Sequence, residues 1–91
     1  MEKDWFVYLI RCKDNSLYTG ITNNILRRFK EHRDGKGAKY TRAKEVVCIE
    51  AIYMFSTKSL ALKEEYRIKK LTKNKKEKMI KDVFNETINI D

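Results

Sequence analysis

The stretch LYTGITNNILRRFKEH, residues 17–32, places a tyrosine, an arginine and a histidine close together in the chain. If residues 25–33 are helical, positions three and four apart share a face, so Ile25, Arg28, Phe29 and His32 form one stripe. Ile25 and Phe29 are core material, and Arg28 and His32 lie at the edge of that stripe. An arginine in such a place commonly packs its stem and leaves its head in water. The chemical alternative is a guanidinium fixed at a sheet edge, where two N–H groups can hold a phosphate oxygen. His32 taken alone reads as a surface or hydrogen-bonded residue rather than a catalyst.

Two tyrosines accompany them. Tyr8 and Tyr18 fall on successive apolar runs that suit the two strands of one hairpin, where they can share a face. Tyr8 is on the same side of its strand as Phe6 and Ile10, so a core tyrosine with a satisfied hydroxyl stands beside the functional reading. A free phenol has a pKa near ~10 and cannot act as a general base at neutral pH without a nearby cation or metal-bound water. A carboxylate comes from SLALKEEYRIKKL, residues 59–71. On a helical wheel Glu64 falls among Leu60, Ala61, Ile68 and Leu71. A wider arc including Leu62 and Tyr66 centres on Glu65 instead. The wheel does not choose between the two, and an i,i+4 ion pair such as Glu65–Lys69 also explains a glutamate there. A carboxylate facing an arginine and two tyrosines suits a single protein ligand to Mg²⁺, which takes few protein oxygens and keeps its waters.

These side chains belong to a 91-residue chain with 42% apolar and 37% charged residues, the composition of one folded domain rather than a disordered segment. The net charge of +8 favours an anionic partner, nucleic acid first and an acidic membrane surface second, with plain solubility the alternative. No apolar run approaches the ~18 residues of a membrane span. The N-terminus lacks signal-peptide features, so a cytoplasmic protein is expected. Two cysteines, Cys12 and Cys48, are expected as buried free thiols. With one histidine they match no structural zinc spacing. GKGAKYTR (residues 35–42) and RIKKLTKNKKEKMIK (67–81) set positive charge beside Tyr40 and Tyr66 and suit phosphate contact without base readout, with a solvated helical face as the alternative for the second. Lys39, Tyr40 and Arg42 are the expected substrate contacts, from their charge and loop position.

The elements that must position these residues follow from local pattern. Residues 5–12, WFVYLIRC, and 17–21, LYTGI, read as an antiparallel hairpin joined by the turn KDNS. Gly20 within the second strand predicts a bulge or a close backbone approach. Thr22, Asn23 and Asn24 are N-cap residues for a helix over about 25–33. DGKG ends it and opens a loop through 38–44. A third strand covers 46–55. Ser56, Thr57 and Ser59 can cap a second helix over about 58–73. Asn74 with Glu77 resembles a capping box for a third helix, to about residue 85. The order is β-β-α-β-α-α, an α+β fold with a small three-stranded antiparallel sheet flanked by helices. One domain spans 1–85, with 86–91 a frayed tail.

In this order and spacing the residues resemble the GIY-YIG nuclease family over about residues 5–73. Val7-Tyr8-Leu9 stands for its first motif and Tyr18-Thr19-Gly20 for its second. NNILRRFKEH matches the following segment, with Arg28 and His32 in the arginine and histidine positions, and LKEEYRIKKL matches the glutamate helix. The likeness is especially close to the small stand-alone bacterial proteins of the family, which share GKGAKYTR. As in that group, no glycine precedes Tyr8 and a leucine follows it. The stand-alone pattern puts the glutamate three before the Ile-Lys pair, which selects Glu65. The excision and homing nucleases put it four before, which would select Glu64. The resemblance implies a metal-dependent DNA endonuclease acting in repair or recombination, with a non-catalytic nucleic-acid-binding module as the alternative. It implies Glu65 as ligand to one Mg²⁺ (or Mn²⁺), Tyr8 or Tyr18 helping to deprotonate the attacking water, and Arg28 offsetting charge at the phosphorus, with His32 beside them. Branched or nicked DNA is the implied partner. Nucleases of the family commonly carry a second, site-selecting domain, so a protein partner supplying specificity is expected here.

Overall fold

A computed structural model of the chain describes residues 4–88. Strands β1 (Trp5–Cys12), β2 (Leu17–Thr22) and β3 (Val46–Phe55) form one sheet in the order β2-β1-β3, with both pairs antiparallel. Between them run helices α1 (Ile25–Arg33) and α2 (Lys39–Lys44), and after β3 come α3 (Lys58–Lys69) and α4 (Lys73–Ile88). The α+β architecture and the expected order hold, with α2 as an addition.

The hairpin turn is made as its residue types suggest. Asp14 Oδ1 accepts the Ser16 N–H at 3.0 Å, and Asn15 takes the left-handed φ of 71° that asparagine tolerates. The pleat then sorts β1 by alternation. Val7 and Leu9 join Leu17, Ala51, Ala61 and Ile68 in a core closed by α3 and by Met79 and Ile80 of α4. Tyr8, Ile10 and Cys12 face the other way and pack with Tyr18, Ile25, Phe29 and Ile49, under α1. Among the described residues both cysteines are free, Cys12 buried and Cys48 only half-buried.

Helix α1 starts where expected: Asn24 is its N-cap and its side chain accepts the Arg27 N–H at 3.1 Å. Gly35, with φ of +76°, turns the chain away after it. Helix α3 is capped by Thr57, whose hydroxyl accepts the Leu60 N–H at 3.2 Å.

Four local expectations are corrected. Residues 39–44 are helical rather than loop. The segment has no side-chain N-cap bond and no apolar periodicity, and what it buries is Thr41 alone. Helix α3 ends at Lys69, short of residue 73. The next helix begins at Lys73 with Thr72 Oγ1 accepting the Lys75 N–H. Glu77, instead of closing a capping box with Asn74, forks onto the Arg11 guanidinium at 2.6 Å on each oxygen. A bidentate charged pair outcompetes a single backbone donor. Finally, α4 continues to Ile88, past its expected end near residue 85, and 89–91 lie outside the described residues.

At Gly20 the ladder is regular, with Tyr8 as its partner, and the register shifts fall between β1 and β3. The close approach is real but comes from a side chain: a Cβ at position 20 would lie 2.6 Å from Tyr8 Cζ.

Candidate active site

Tyr8 is at the centre of the sheet, on the middle strand, with only 2% of its surface exposed. Gly20 directly across in β2 leaves room for its ring. Burial pushes the phenol up to about 12, partly countered by the influence of the Arg28 guanidinium. Arg28 also reaches Glu31 at 3.3 Å, one turn along α1.

The Tyr8 hydroxyl meets His32 Nε2 at 2.8 Å, and His32 Nδ1 meets Thr41 Oγ1 at 2.7 Å. His32 is 1% exposed and so is Thr41. Burial, with the nearby Arg28 charge adding to it, depresses the imidazole to about 4, so the ring is neutral at pH 7. Gly37 presses its backbone against this ring: a Cβ there would lie 2.8 Å from His32 Cγ.

Tyr18 extends the aromatic group outward. Its ring centroid lies 6.4 Å from that of Tyr8, 5.3 Å from His32 and 5.8 Å from Tyr40, on which it stacks. Tyr40 is 40% exposed. Lys39 and Arg42 flank it on α2 and are both exposed. Arg42 also lines a cleft of about 370 Å³ that reaches the far side of His32 and Thr41.

The two glutamates of α3 part company. Glu64 pairs with Arg67. Glu65 is half-buried, and its charge raises the Tyr8 phenol further. Its neighbour is Lys69, at 3.2 Å. Thus Tyr8, Tyr18, Arg28, His32 and Tyr40 form one connected group. Glu65 joins it through its field, and Lys39 and Arg42 border it.

Among the described residues no set of three or more His, Cys, Asp or Glu side chains gathers as a metal cage. The donor set available is one hard carboxylate, Glu65, whose charge is felt at the Tyr8 phenol, and a single carboxylate fits an ion that takes few protein oxygens and keeps its waters, as Mg²⁺ does.

Two members of the site escape sequence reading. Thr41 lies in a run whose lysines and glycines read as loop, so its inward direction is invisible before α2 is known. Gly37 looks like a helix terminator. Its role beside His32 needs tertiary contact to emerge.

A small antiparallel sheet that gathers two tyrosines, an arginine and a histidine defines a class, and the chain belongs to the GIY-YIG family: the model of the GIY-YIG catalytic domain matches residues 4–79. This is a nuclease-type family, whose substrate in general is DNA. Within it the chain is 47% identical over 87 residues to the UPF0213 protein YhbQ of Escherichia coli O127:H6, covering 93% of this chain and 87% of that one. The solution NMR structure of EF2693 from E. faecalis is similar with a TM-score of 0.62 and 40% identity, over 92% of each chain. That of the UPF0213 protein BH0048 from Bacillus halodurans has a TM-score of 0.56 and 42% identity, over 86% of this chain and 83% of that one. Among the described residues no helix is long and apolar enough to cross a membrane.

Proposed function

We propose that the protein is a metal-dependent DNA endonuclease that hydrolyses phosphodiester bonds. The observation that carries this reading is the buried Tyr8–His32 hydrogen bond within the field of Arg28: a neutral base on a buried phenol, with a cation near it. Tyr8 cannot release its proton to water at neutral pH. With His32 Nε2 as resident acceptor, the phenol oxygen can take a proton from the attacking water while passing its own along. Arg28 offsets charge on the phosphorus oxygens, work in which a single donor is worth ~3–4 kcal/mol. Tyr18 holds the Tyr8–His32 pair from outside and is the second candidate to touch the water.

Glu65 is the ligand for one Mg²⁺ or Mn²⁺, and when bound such an ion would supply charge stabilisation at the scissile phosphate. Lys39, Tyr40 and Arg42 hold the substrate beside the aromatic group. Arg27, Lys30, Lys36, Lys39 and Arg42 make no ion pair with a carboxylate among the described residues and lie on the α1–α2 side that carries the aromatic group, so they are available to a DNA backbone there. Branched or nicked DNA, a role in repair or recombination, a cytoplasmic location and a specificity-giving protein partner complete the reading, and rest on the family likeness. The same cations favour the second reading, a nucleic-acid-binding module without catalysis.

The test is a panel of labelled single-stranded, duplex, nicked and branched DNAs in Mg²⁺, Mn²⁺ and EDTA. Wild type should cut only with metal. Glu65→Gln and Arg28→Ala should lose at least ~100-fold in rate, while Glu64→Gln cuts normally. Metal-independent binding with no cutting by any form would replace the nuclease with the binding module.

A further inference from the structure

The hydrogen-bond chain from Tyr8 does not end at His32. Thr41 Oγ1 stands 2.7 Å from His32 Nδ1 and 3.0 Å from the Ala38 carbonyl oxygen, to which its hydroxyl donates. Only one arrangement of protons satisfies every donor. If the Thr41 hydroxyl gives its one proton to Ala38, then Nδ1–H must donate to Thr41 and Nε2 is left as an acceptor for the Tyr8 O–H. The opposite tautomer would point an Nε2–H at the phenol oxygen. The Tyr8 proton, on a residue 2% exposed, would then have no acceptor. Direction therefore runs Tyr8, His32, Thr41, Ala38.

Resting on the nuclease reading for its catalytic meaning, we infer that Thr41 is a positioning residue that fixes the His32 tautomer and so makes His32 Nε2 the acceptor of the Tyr8 proton. During attack the water proton goes to the Tyr8 oxygen as the phenol proton goes to Nε2. The water oxygen bonds to phosphorus as the phosphorus–3′-oxygen bond breaks, and the leaving oxygen is protonated by solvent. The imidazolium keeps Nδ1–H on Thr41 and afterwards returns its extra proton to solvent. Thr41 gains and loses nothing. It acts through the lone pair it offers to Nδ1–H.

The geometry of α2 makes this assignment specific. Lys39, Tyr40 and Arg42 are exposed while Thr41 between them is buried, so one short helix faces substrate with three residues and His32 with one.

The chain contains a single histidine, so its ring nitrogens can be read without ambiguity. Long-range ¹H–¹⁵N correlation spectra at pH 7 should show a protonated Nδ1 and an unprotonated Nε2 in wild type and in Thr41→Ser. Thr41→Val, nearly the same shape but without an acceptor, should shift toward the other tautomer. In cleavage, Thr41→Val should lower kcat by ~10- to 100-fold with KM little changed, and Thr41→Ser should restore it. A wild-type pattern retained in Thr41→Val overturns the assignment, as does an Nε2–H tautomer in wild type. If no form cuts DNA yet the spectra behave as stated, the tautomer assignment stands and the nuclease reading falls.

Discussion

Tyr8 and His32 are 24 residues apart in sequence and 2.8 Å apart in space, joined by a buried hydrogen bond between a phenol and a neutral imidazole. Each has been moved away from its solution behaviour in the direction that keeps the pair uncharged: the phenol is raised to about 12 and the imidazole lowered to about 4, with burial the largest cause in both.

Stability should therefore fall on mild acidification. In the unfolded chain His32 takes a proton below its ordinary value of 6.5, whereas in the folded protein it does so only near 4. The unfolded state binds more protons between these limits, so stability is full above about pH 6.5 and is lost as the pH falls toward 4. The upper bound is about 3 kcal/mol. Urea unfolding at pH 7.0 and 5.0 should show the loss in wild type and a much smaller one in His32→Gln. An equal loss in both would place the effect elsewhere.

Arg11 ties α4 to the sheet. Its guanidinium holds both Glu77 oxygens at 2.6 Å and Glu50 of β3 at 3.0 Å, and the pairing with Arg11 holds the Glu77 carboxyl down to about 2. Glu77→Gln should cost about 1–2 kcal/mol and speed amide hydrogen exchange in α4 more than in β1. Unchanged exchange would mean that Met79 and Ile80 hold the helix without help.

Gly20→Ala should damage both stability and chemistry. The added carbon would meet the Tyr8 ring at 2.6 Å, so the ring must move off His32. A cost of about 1–3 kcal/mol is expected in thermal or urea unfolding, together with loss of cleavage. An alanine variant of wild-type stability and activity would show that the ring has slack which the packing does not reveal.

Much of this was legible beforehand. The apolar runs set the strands, the cap candidates Thr22, Asn23 and Asn24 and Ser56, Thr57 and Ser59 announced the helix starts without choosing among themselves, and KDNS announced the turn. These signals are local, and each has a fixed physical cause within a few residues. What stayed hidden depends on partners far along the chain. Glu77 was claimed by Arg11 from 66 residues away rather than by the helix terminus nearby. Thr41 turned inward because His32 had a nitrogen to satisfy. The two adjacent glutamates of α3 were indistinguishable on a wheel, because their difference lies in Arg67 for one and the field at Tyr8 for the other. The charged run 67–81 suits phosphate contact by composition, yet its Glu77 is drawn to the sheet, and its Lys70 lies over the Tyr66 ring.

Gly20 and Gly37 give the Tyr8–His32 pair an unusual kind of housing. Each ring leans on bare main chain, one on a strand and the other on the segment before α2. A wall made of neighbouring side chains can be repacked one rotamer at a time, but a wall of peptide planes has no rotamers to change. The alignment of the two rings is thus inherited from the backbone itself. Core substitutions elsewhere in the protein can loosen the fold considerably before they reach this alignment, whereas one methyl group at either glycine reaches it at once.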